Sequence, residues 1–156
     1  MMPIVYINDI NEVVSLHLKT IEVSGGGTAG IISLNSMNAA LAHIQNDDYY
    51  PTFEEKLTHL FFIANKSHCF QDGNKRIAIT LGSIFLLKNG YINAAKEFLY
   101  RMEIISYHVA ASNIDKELLL EIITSILNEE DYSEELKLKI AFAISQNGED
   151  QENINQ

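Results

Sequence analysis

The chain has 156 residues and a formal net charge of −10, with 47% hydrophobic and 21% charged residues. This length and composition are typical of one globular domain with a buried core, and they exclude a chain dominated by disorder. The negative charge lies mostly in residues 114–156, which carry eleven Asp/Glu against three Lys/Arg, whereas residues 1–113 carry ten against eight. Such an acidic balance argues against bulk binding of nucleic acid.

Three further features bear on the compartment of the protein. Cys69 is the only cysteine, so no disulfide can form within the chain, which suits a reducing cytosol. Asp9 and Glu12 stand where a signal peptide would have a basic start and an apolar core, so we expect no signal peptide. The uncharged apolar run at residues 77–87 is too short to cross a bilayer. We therefore expect a cytoplasmic protein.

Helical periodicity dominates the first part of the chain. Apolar residues recur at helical spacing over residues 8–23, with Asn8 or Asp9 as a cap, which predicts a helix packed through one face. Residues 24–30 contain four glycines in seven positions, and glycine favours loop conformations, so we predict a flexible loop. A second helix is predicted over residues 35–46.

Two predicted helices flank the most reactive stretch of the chain. Residues 52–55 form a Thr-x-x-Glu capping box after Pro51, which predicts a helix that runs through Ala64. Residues 77–87 contain no charged side chain and are followed by Lys-Asn-Gly, a typical helix stop. The second of these is therefore a buried helix, which we expect to begin near Asn74.

The second half of the chain continues the helical pattern. Residues 91–93 are predicted to be a short connector with the length of one extended strand, and residues 94–111 a helix that turns Phe98, Leu99 and Met102 toward the core. Further helices are expected after the turn at 112–115 and from about 132 to 145, with residues 147–156 frayed. The predicted fold is all-α, a compact single-domain bundle of about six to seven helices.

Reactive side chains concentrate in one stretch, His68-Cys69-Phe70-Gln71-Asp72-Gly73-Asn74-Lys75-Arg76. If a helix begins near Asn74, its first N–H groups lack partners and its dipole favours an anion there. Lys75 and Arg76 add two positive charges, so a phosphate group suits the site. Asp72 is placed to hold the Mg²⁺ that accompanies a nucleoside triphosphate. His68 titrates near neutral pH and can take a proton from a hydroxyl.

This motif, followed by an uncharged helix and Leu-Lys-Asn-Gly-Tyr at 87–91, resembles the Fic/Doc superfamily. It is most similar to the death-on-curing (Doc) branch, the toxins of toxin–antitoxin systems. Seven fixed residues at fixed spacing make the motif specific. The likeness covers roughly residues 8–128. We therefore expect a Fic/Doc-like domain in residues 1–130, with its active-site loop at the N-terminus of the central helix, and an acidic helix and tail in residues 131–156.

Three positions decide what the resemblance implies about the reaction. Fic proteins, which are AMP-transferases, have a second glycine where this chain has Lys75 and a further arginine where it has Ile79. Both departures favour the Doc branch, in which ATP is placed in reverse and its γ-phosphate is transferred to a hydroxyl of a target protein, elongation factor Tu in its best-understood members. Gly73 favours the Fic branch instead, since the phage-type Doc toxin has alanine at this position. AMP transfer therefore stays as an alternative.

The resemblance also implies a role for each motif residue. His68 would be the general base, Asp72 would hold Mg²⁺, and the start of the helix at Gly73 and Asn74 would meet the phosphates of ATP. Lys75 and Arg76 would bind these phosphates and stabilise the charge of the transition state. Residues 24–33 correspond to the flap that aligns the target segment, and a separate antitoxin is expected as a partner.

Other interpretations compete with these expectations. The chain could be a non-catalytic relative that binds nucleotide or an antitoxin. Ser145 and Glu149 resemble the inhibitory motif of some Fic proteins, although Asp150 stands where that motif has Gly or Asn. His17 lies on the apolar face of the first helix. We expect it to be a core or boundary histidine that is satisfied by a hydrogen bond. The remaining histidines, at positions 43, 59 and 108, lack metal-ligand spacing.

Overall fold

Seven helices make up the regular structure of the computed structural model, which describes residues 3–24 and 27–154, with side chains as far as residue 145. They are α1 (Ile10–Val23), α2 (Asn35–His43), α3 (Phe53–Lys66), α4 (Asn74–Lys88), α5 (Ile92–Ala110), α6 (Lys116–Leu127) and α7 (Glu134–Ile154). No strand occurs in these residues, and the single β-bridge joins Ile31 and Phe70. The predicted all-α bundle of six to seven helices is confirmed.

Short polar side chains begin three of the helices. The side chain of Asp9 accepts a hydrogen bond from the N–H of Asn11, that of Thr52 from the N–H of Glu55, and that of Asp115 from the N–H of Leu118. Each of these caps satisfies an N–H group that has no partner within the helix. Thr52, the first residue of the capping box predicted at residues 52–55, therefore caps α3.

Helix α4 lies at the centre of the bundle and packs on α5, α3 and α1. Three of its apolar side chains, Ile77, Leu81 and Phe85, are fully buried. Gly82 allows the close crossing with α5, because a Cβ at this position would lie 2.4 Å from Cε1 of Phe98. The predicted buried helix is therefore present and begins at Asn74.

Helix α5 differs from its prediction in two respects. Residues 91–93 are not an extended connector, because Gly90 (φ +84°) turns the chain sharply and α5 begins at once at Ile92. Leu99 does not face the core, since 56% of its surface is exposed. It is rotated by about 100° from buried Phe98 around the helix axis, which turns it away from the core.

The ends of α2 and α7 also differ from the prediction. Helix α2 ends at His43, before the predicted end at residue 46. Helix α7 runs to Ile154, so the expected fraying from residue 147 is wrong for the described backbone; this segment contains no proline that would break the helix. Residues 155 and 156 lie outside the described part of the chain. None of the described helices has the length and apolarity needed to cross a membrane.

Candidate active site

The loop that joins α3 to α4 carries the motif and is held by its own residues. Asn74 accepts a hydrogen bond from the N–H of Phe70 (3.1 Å) and donates one to the carbonyl of the same residue (2.8 Å). The ring of Phe70 is buried and anchors the loop on the core. The side chain of Asn74 thus fixes the loop, and its backbone N–H remains at the start of α4.

The N-terminus of α4 leaves backbone donors without helical partners. The first bond of the helix runs from the N–H of Ile77 to the carbonyl of Gly73 (2.9 Å), so the N–H groups of residues 74–76 have no acceptor within the helix. Gly73 has φ +78° and its N–H donates to Oδ1 of Asp72 (2.8 Å). A Cβ on Gly73 would also lie 3.0 Å from Ile21 and 3.3 Å from His17. The left-handed backbone favours glycine there, and a Cβ would be in tight contact with Ile21 and His17.

A cavity of about 910 Å³ opens beside this helix start. Its walls come from α1, from the motif and α4, and from α5. The lining residues that argue for a polar ligand include Lys19 on α1 and Glu103 and Tyr107 on α5, and the apolar ones include Leu16, Ile79 and Leu99. Five predicted site residues line it together, namely Asp72, Gly73, Asn74, Lys75 and Arg76.

The two cations of the motif have different partners. The guanidinium of Arg76 lies 3.7 Å from Oδ1 of Asp72 and also donates to Oγ of Ser24 at the end of α1. Nζ of Lys75 lies over the ring of Tyr107, 5.0 Å from its centre, and no described carboxylate lies within 4 Å of this ammonium. Both cations and the start of α4 therefore line the same cavity.

His68 is placed differently from the other predicted site residues. It does not line the cavity, its side chain is exposed, and its backbone adopts φ +48°. Such a backbone is uncommon for a residue with a side chain, and strained residues of this kind cluster at functional sites. Within the described residues His68 makes no side-chain hydrogen bond, so its imidazole remains available to a ligand that approaches from outside.

The described part of the predicted flap, residues 27–33, runs alongside the motif. The carbonyl of Gly30 accepts from the N–H of Gln71 (2.9 Å), and the N–H of Ile32 donates to the carbonyl of Cys69 (2.8 Å). Oγ1 of Thr28 donates to Oε1 of Gln71 (3.0 Å). This segment therefore covers one side of the motif. Gly25 and Gly26 belong to the predicted loop but lie outside the described residues.

His17 also contacts the motif, which the sequence analysis missed. It is buried and satisfied by a hydrogen bond, as predicted, but the partner of its Nε2 is the carbonyl of Asp72, 2.6 Å away. Its ring also stacks on that of Phe70, with centres 3.7 Å apart and planes within 7°. The only signal in the sequence is a histidine on an apolar helix face, which does not identify a partner 55 residues away.

The Fic/DOC family model matches residues 7–86, just over half of the chain, and this span includes α1, the flap, the motif and most of α4. The chain belongs to the Fic/DOC family. Neither the curated proteins nor the solved structures gave a significant match. At the level of the family, membership indicates nucleotide-dependent modification of proteins. Fic/DOC proteins are generally transferases that use ATP and Mg²⁺ and that act on protein targets, typically under the control of an antitoxin.

The metal-ligating groups of this Fic/DOC site suit a Mg²⁺ ion that is bound to a nucleotide. No group of three His, Cys, Asp or Glu side chains forms a metal cage among the described residues. Mg²⁺ in phosphate-transfer sites is usually held by one or two carboxylates together with phosphate oxygens and water. Asp72 supplies one carboxylate at the edge of the cavity with half of its side chain exposed. These residues therefore fit a magnesium ion that enters with a nucleotide.

A second group of titratable residues lies outside the site, between α3 and α6. Nδ1 of His59 accepts from Nζ of Lys116 (2.7 Å) and lies 3.1 Å from the hydroxyl of Tyr50. Burial, reinforced by the positive charges of Lys116 and His43, lowers the pKa of His59 to about 4. Burial also lowers the pKa of Lys116. His59 is therefore a neutral acceptor that links two helices.

Proposed function

We propose that this Fic/DOC protein is a Doc-like transferase that moves the γ-phosphate of ATP to a Ser, Thr or Tyr hydroxyl of a target protein. One observation carries the proposal. Lys75, Arg76 and the free N–H groups of α4 face the cavity that the carboxylate of Asp72 also lines. Positive charge for the phosphates beside a carboxylate for Mg²⁺ is the arrangement that suits a magnesium–nucleotide complex.

The nucleotide would be held at the start of α4. Gly73 and Asn74 form the turn at which phosphate oxygens approach the helix, and no side chain at position 73 blocks that approach. Asp72 would hold Mg²⁺, which supplies charge neutralisation on the phosphates when bound. Lys75 and Arg76 would bind the phosphates and stabilise the negative charge that develops during transfer. The apolar residues Leu16 and Ile79 offer contacts to the rest of the nucleotide.

His68 would act as the general base toward the target. A ring nitrogen takes the proton of the target hydroxyl, the hydroxyl oxygen bonds to the γ-phosphorus, and the bond from this phosphorus to the β–γ bridging oxygen breaks. ADP leaves with the electron pair of the broken bond. The exposure of His68 supports this role, because the hydroxyl of a large target has to reach the base from solvent.

Lys75 and Gly73 bear on which phosphate is transferred. If position 75 were glycine, as in Fic proteins, a phosphate could occupy the space that the Lys75 side chain takes. This supports a reversed orientation of the nucleotide and therefore transfer of the γ-phosphate. Gly73 is the residue that suggests AMP transfer by resemblance. Its φ of +78° and the close contacts that a Cβ would make with Ile21 and His17 explain the glycine without reference to the reaction. We therefore favour phosphate transfer over AMP transfer.

The target would bind along the flap. Residues 31 and 32 are isoleucines with 47% and 62% of their surface exposed, and this segment runs beside the loop that starts at His68. An extended target segment could lie against it. By resemblance we expect a translation elongation factor such as elongation factor Tu as the target and a separate antitoxin as the regulator. We also expect this protein to be cytoplasmic.

The test uses purified protein, bacterial lysate and Mg²⁺, with ATP labelled in parallel at the γ or the α phosphate. His68→Asn is the control, because asparagine tolerates positive φ but is not a base. We expect γ label on one discrete protein band, absent with the variant. Label from the α phosphate would replace the proposal with AMP transfer. No transfer of either label would favour a non-catalytic binding protein.

A further inference from the structure

We propose that His17 is a positioning residue of the active site, which sets the orientation of the peptide between Asp72 and Gly73 and, through it, the carboxylate of Asp72. The catalytic consequence rests on the proposed function, but the positioning itself does not. His17 belongs to α1, contacts the motif across 55 residues of sequence and is 1% exposed.

The hydrogen bond of His17 fixes one side of this peptide. A carbonyl oxygen can only accept a hydrogen bond. Nε2 of His17 therefore carries the proton and donates a hydrogen bond to the backbone carbonyl of Asp72 (2.6 Å). The C=O and N–H of a trans peptide point in opposite directions. The N–H of Gly73 is therefore directed away from His17, and it donates to Oδ1 of Asp72 (2.8 Å). One rigid peptide thus connects the imidazole to the carboxylate proposed to hold Mg²⁺.

The backbone at this point would not keep its orientation unaided. Gly73 adopts φ +78°, and glycine has many alternative conformations of similar energy. Loss of the His17 donor would leave a carbonyl beside the buried face of α1 without its partner, which is unfavourable. Rotation of the peptide toward solvent would relieve that cost, and it would carry the Gly73 N–H away from the carboxylate.

The ring of His17 makes a second contact that can be separated from the first. It stacks on Phe70 at 3.7 Å, and the backbone of Phe70 is held by Asn74. A phenylalanine at position 17 would keep the stacked ring and lose the donor. A glutamine would lose the ring and keep an Nε2 donor at similar reach. These two substitutions therefore distinguish positioning by the hydrogen bond from simple packing.

The test measures amide hydrogen exchange of Gly73 by NMR in the protein without nucleotide or metal. The Gly73 N–H reports directly on its bond to Asp72. We expect His17→Phe to accelerate its exchange at least about tenfold, since a lost bond of about 1.4 kcal/mol corresponds to a factor of ten. His17→Gln should stay near the rate of the unmodified protein. His43→Phe, which makes the same replacement at an exposed histidine of α2, is the matched control.

Transfer kinetics provide the functional readout. We expect His17→Phe to lower kcat about 10–100-fold, which is the usual effect of losing a group that orients a metal ligand, and His17→Gln to recover most of it. Equal exchange rates in both variants, whether fast or slow, would overturn the proposal. Should His17→Phe not fold, His17→Gln decides alone: fast exchange of Gly73 in that variant would overturn it. If the unmodified protein transfers no label, the proposed function fails while the exchange result still decides the role of His17.

Discussion

At the scale of single residues, charge and backbone strain are the features that set the motif apart. Lys75 is exposed and contacts Tyr107 through its ammonium, an interaction of about 0.5–1 kcal/mol at such a position. Replacing Lys75 with methionine keeps the aliphatic stem and removes the charge. We expect the free energy of unfolding to change by less than about 1 kcal/mol, because little packing is lost.

The same substitution should nevertheless impair transfer. Removal of one charged group that stabilises the transition state typically costs about 10²–10³ in kcat. Measurement of kcat and of urea unfolding for Lys75→Met would check both expectations. Lys75→Arg is the matched control, since it keeps the charge. A Lys75→Met protein that is fully active would remove the main argument for the proposed phosphate site.

His68 provides a second prediction at this scale. A residue other than glycine pays about 1–2 kcal/mol in the left-handed conformation, and His68 has φ +48°. Replacement by glycine relieves this strain, so His68→Gly should be as stable as the unmodified protein or up to about 1 kcal/mol more stable, although it transfers nothing. His68→Val, with a branched Cβ, should be clearly less stable. Urea unfolding of both variants tests this, and a strongly destabilised His68→Gly would contradict it.

At the scale of elements, the contact between α4 and α5 depends on Gly82. A methyl group there would lie 2.4 Å from Phe98, and overpacking of a core usually costs about 1–3 kcal/mol. We expect Gly82→Ala to lower the free energy of unfolding by that amount. The double variant with Phe98→Leu should regain part of the loss, because leucine lacks the ring edge in contact. Additive effects of the two substitutions would show that the helices are not in the described contact.

The junction of α3 and α6 makes stability depend on pH. The pKa of His59 is lowered to about 4 in the folded chain, whereas an unfolded histidine titrates near 6.5. The unfolded chain therefore binds a proton first as pH falls. The stabilisation is complete above pH 6.5 and is lost between pH 6.5 and 4, by roughly 1–3 kcal/mol after allowance for solvent screening.

Comparison with His59→Gln isolates this effect from the many carboxylates. The difference in unfolding free energy between the two proteins should shrink as pH falls from 7 to 4, as measured by urea denaturation at each pH. A difference that is independent of pH would mean that His59 is not held neutral between Lys116 and Tyr50.

At the scale of the whole molecule, the sequence could predict the features that depend on residues close together in the chain. The motif is contiguous and the caps of α1, α3 and α6 lie within three residues of their partners, so the site and most helices could be predicted. The walls of the cavity could not, because Leu99 and Tyr107 join Lys19 there only through the packing of both α5 and α1 on α4. The partner of His17 was hidden for the same reason.

The arrangement of the helices also yields a prediction about the C-terminal quarter. Helix α7 packs on α6, where Leu136 is buried and Lys139 pairs with Glu121, whereas the cavity lies between α1, α4 and α5. A chain ending at residue 130 should therefore lose stability, by about 2–4 kcal/mol for the apolar area uncovered on α6. It should keep its rate of transfer. Thermal unfolding and the labelled-ATP assay on both chains would check these two expectations.

The same truncation tests self-inhibition by Ser145 and Glu149. A glutamate that paired with Arg76 would compete with the phosphates for the same guanidinium, so its removal would raise the rate severalfold or more. The side chain of Glu149 lies outside the described part of the chain. Because the described residues of α7 pack on α6, we expect the truncated and full chains to differ by less than about twofold, which corresponds to roughly 0.4 kcal/mol. Glu149→Gln in the full chain is the matched variant, and a large activation by both changes would show that α7 reaches the site and regulates it.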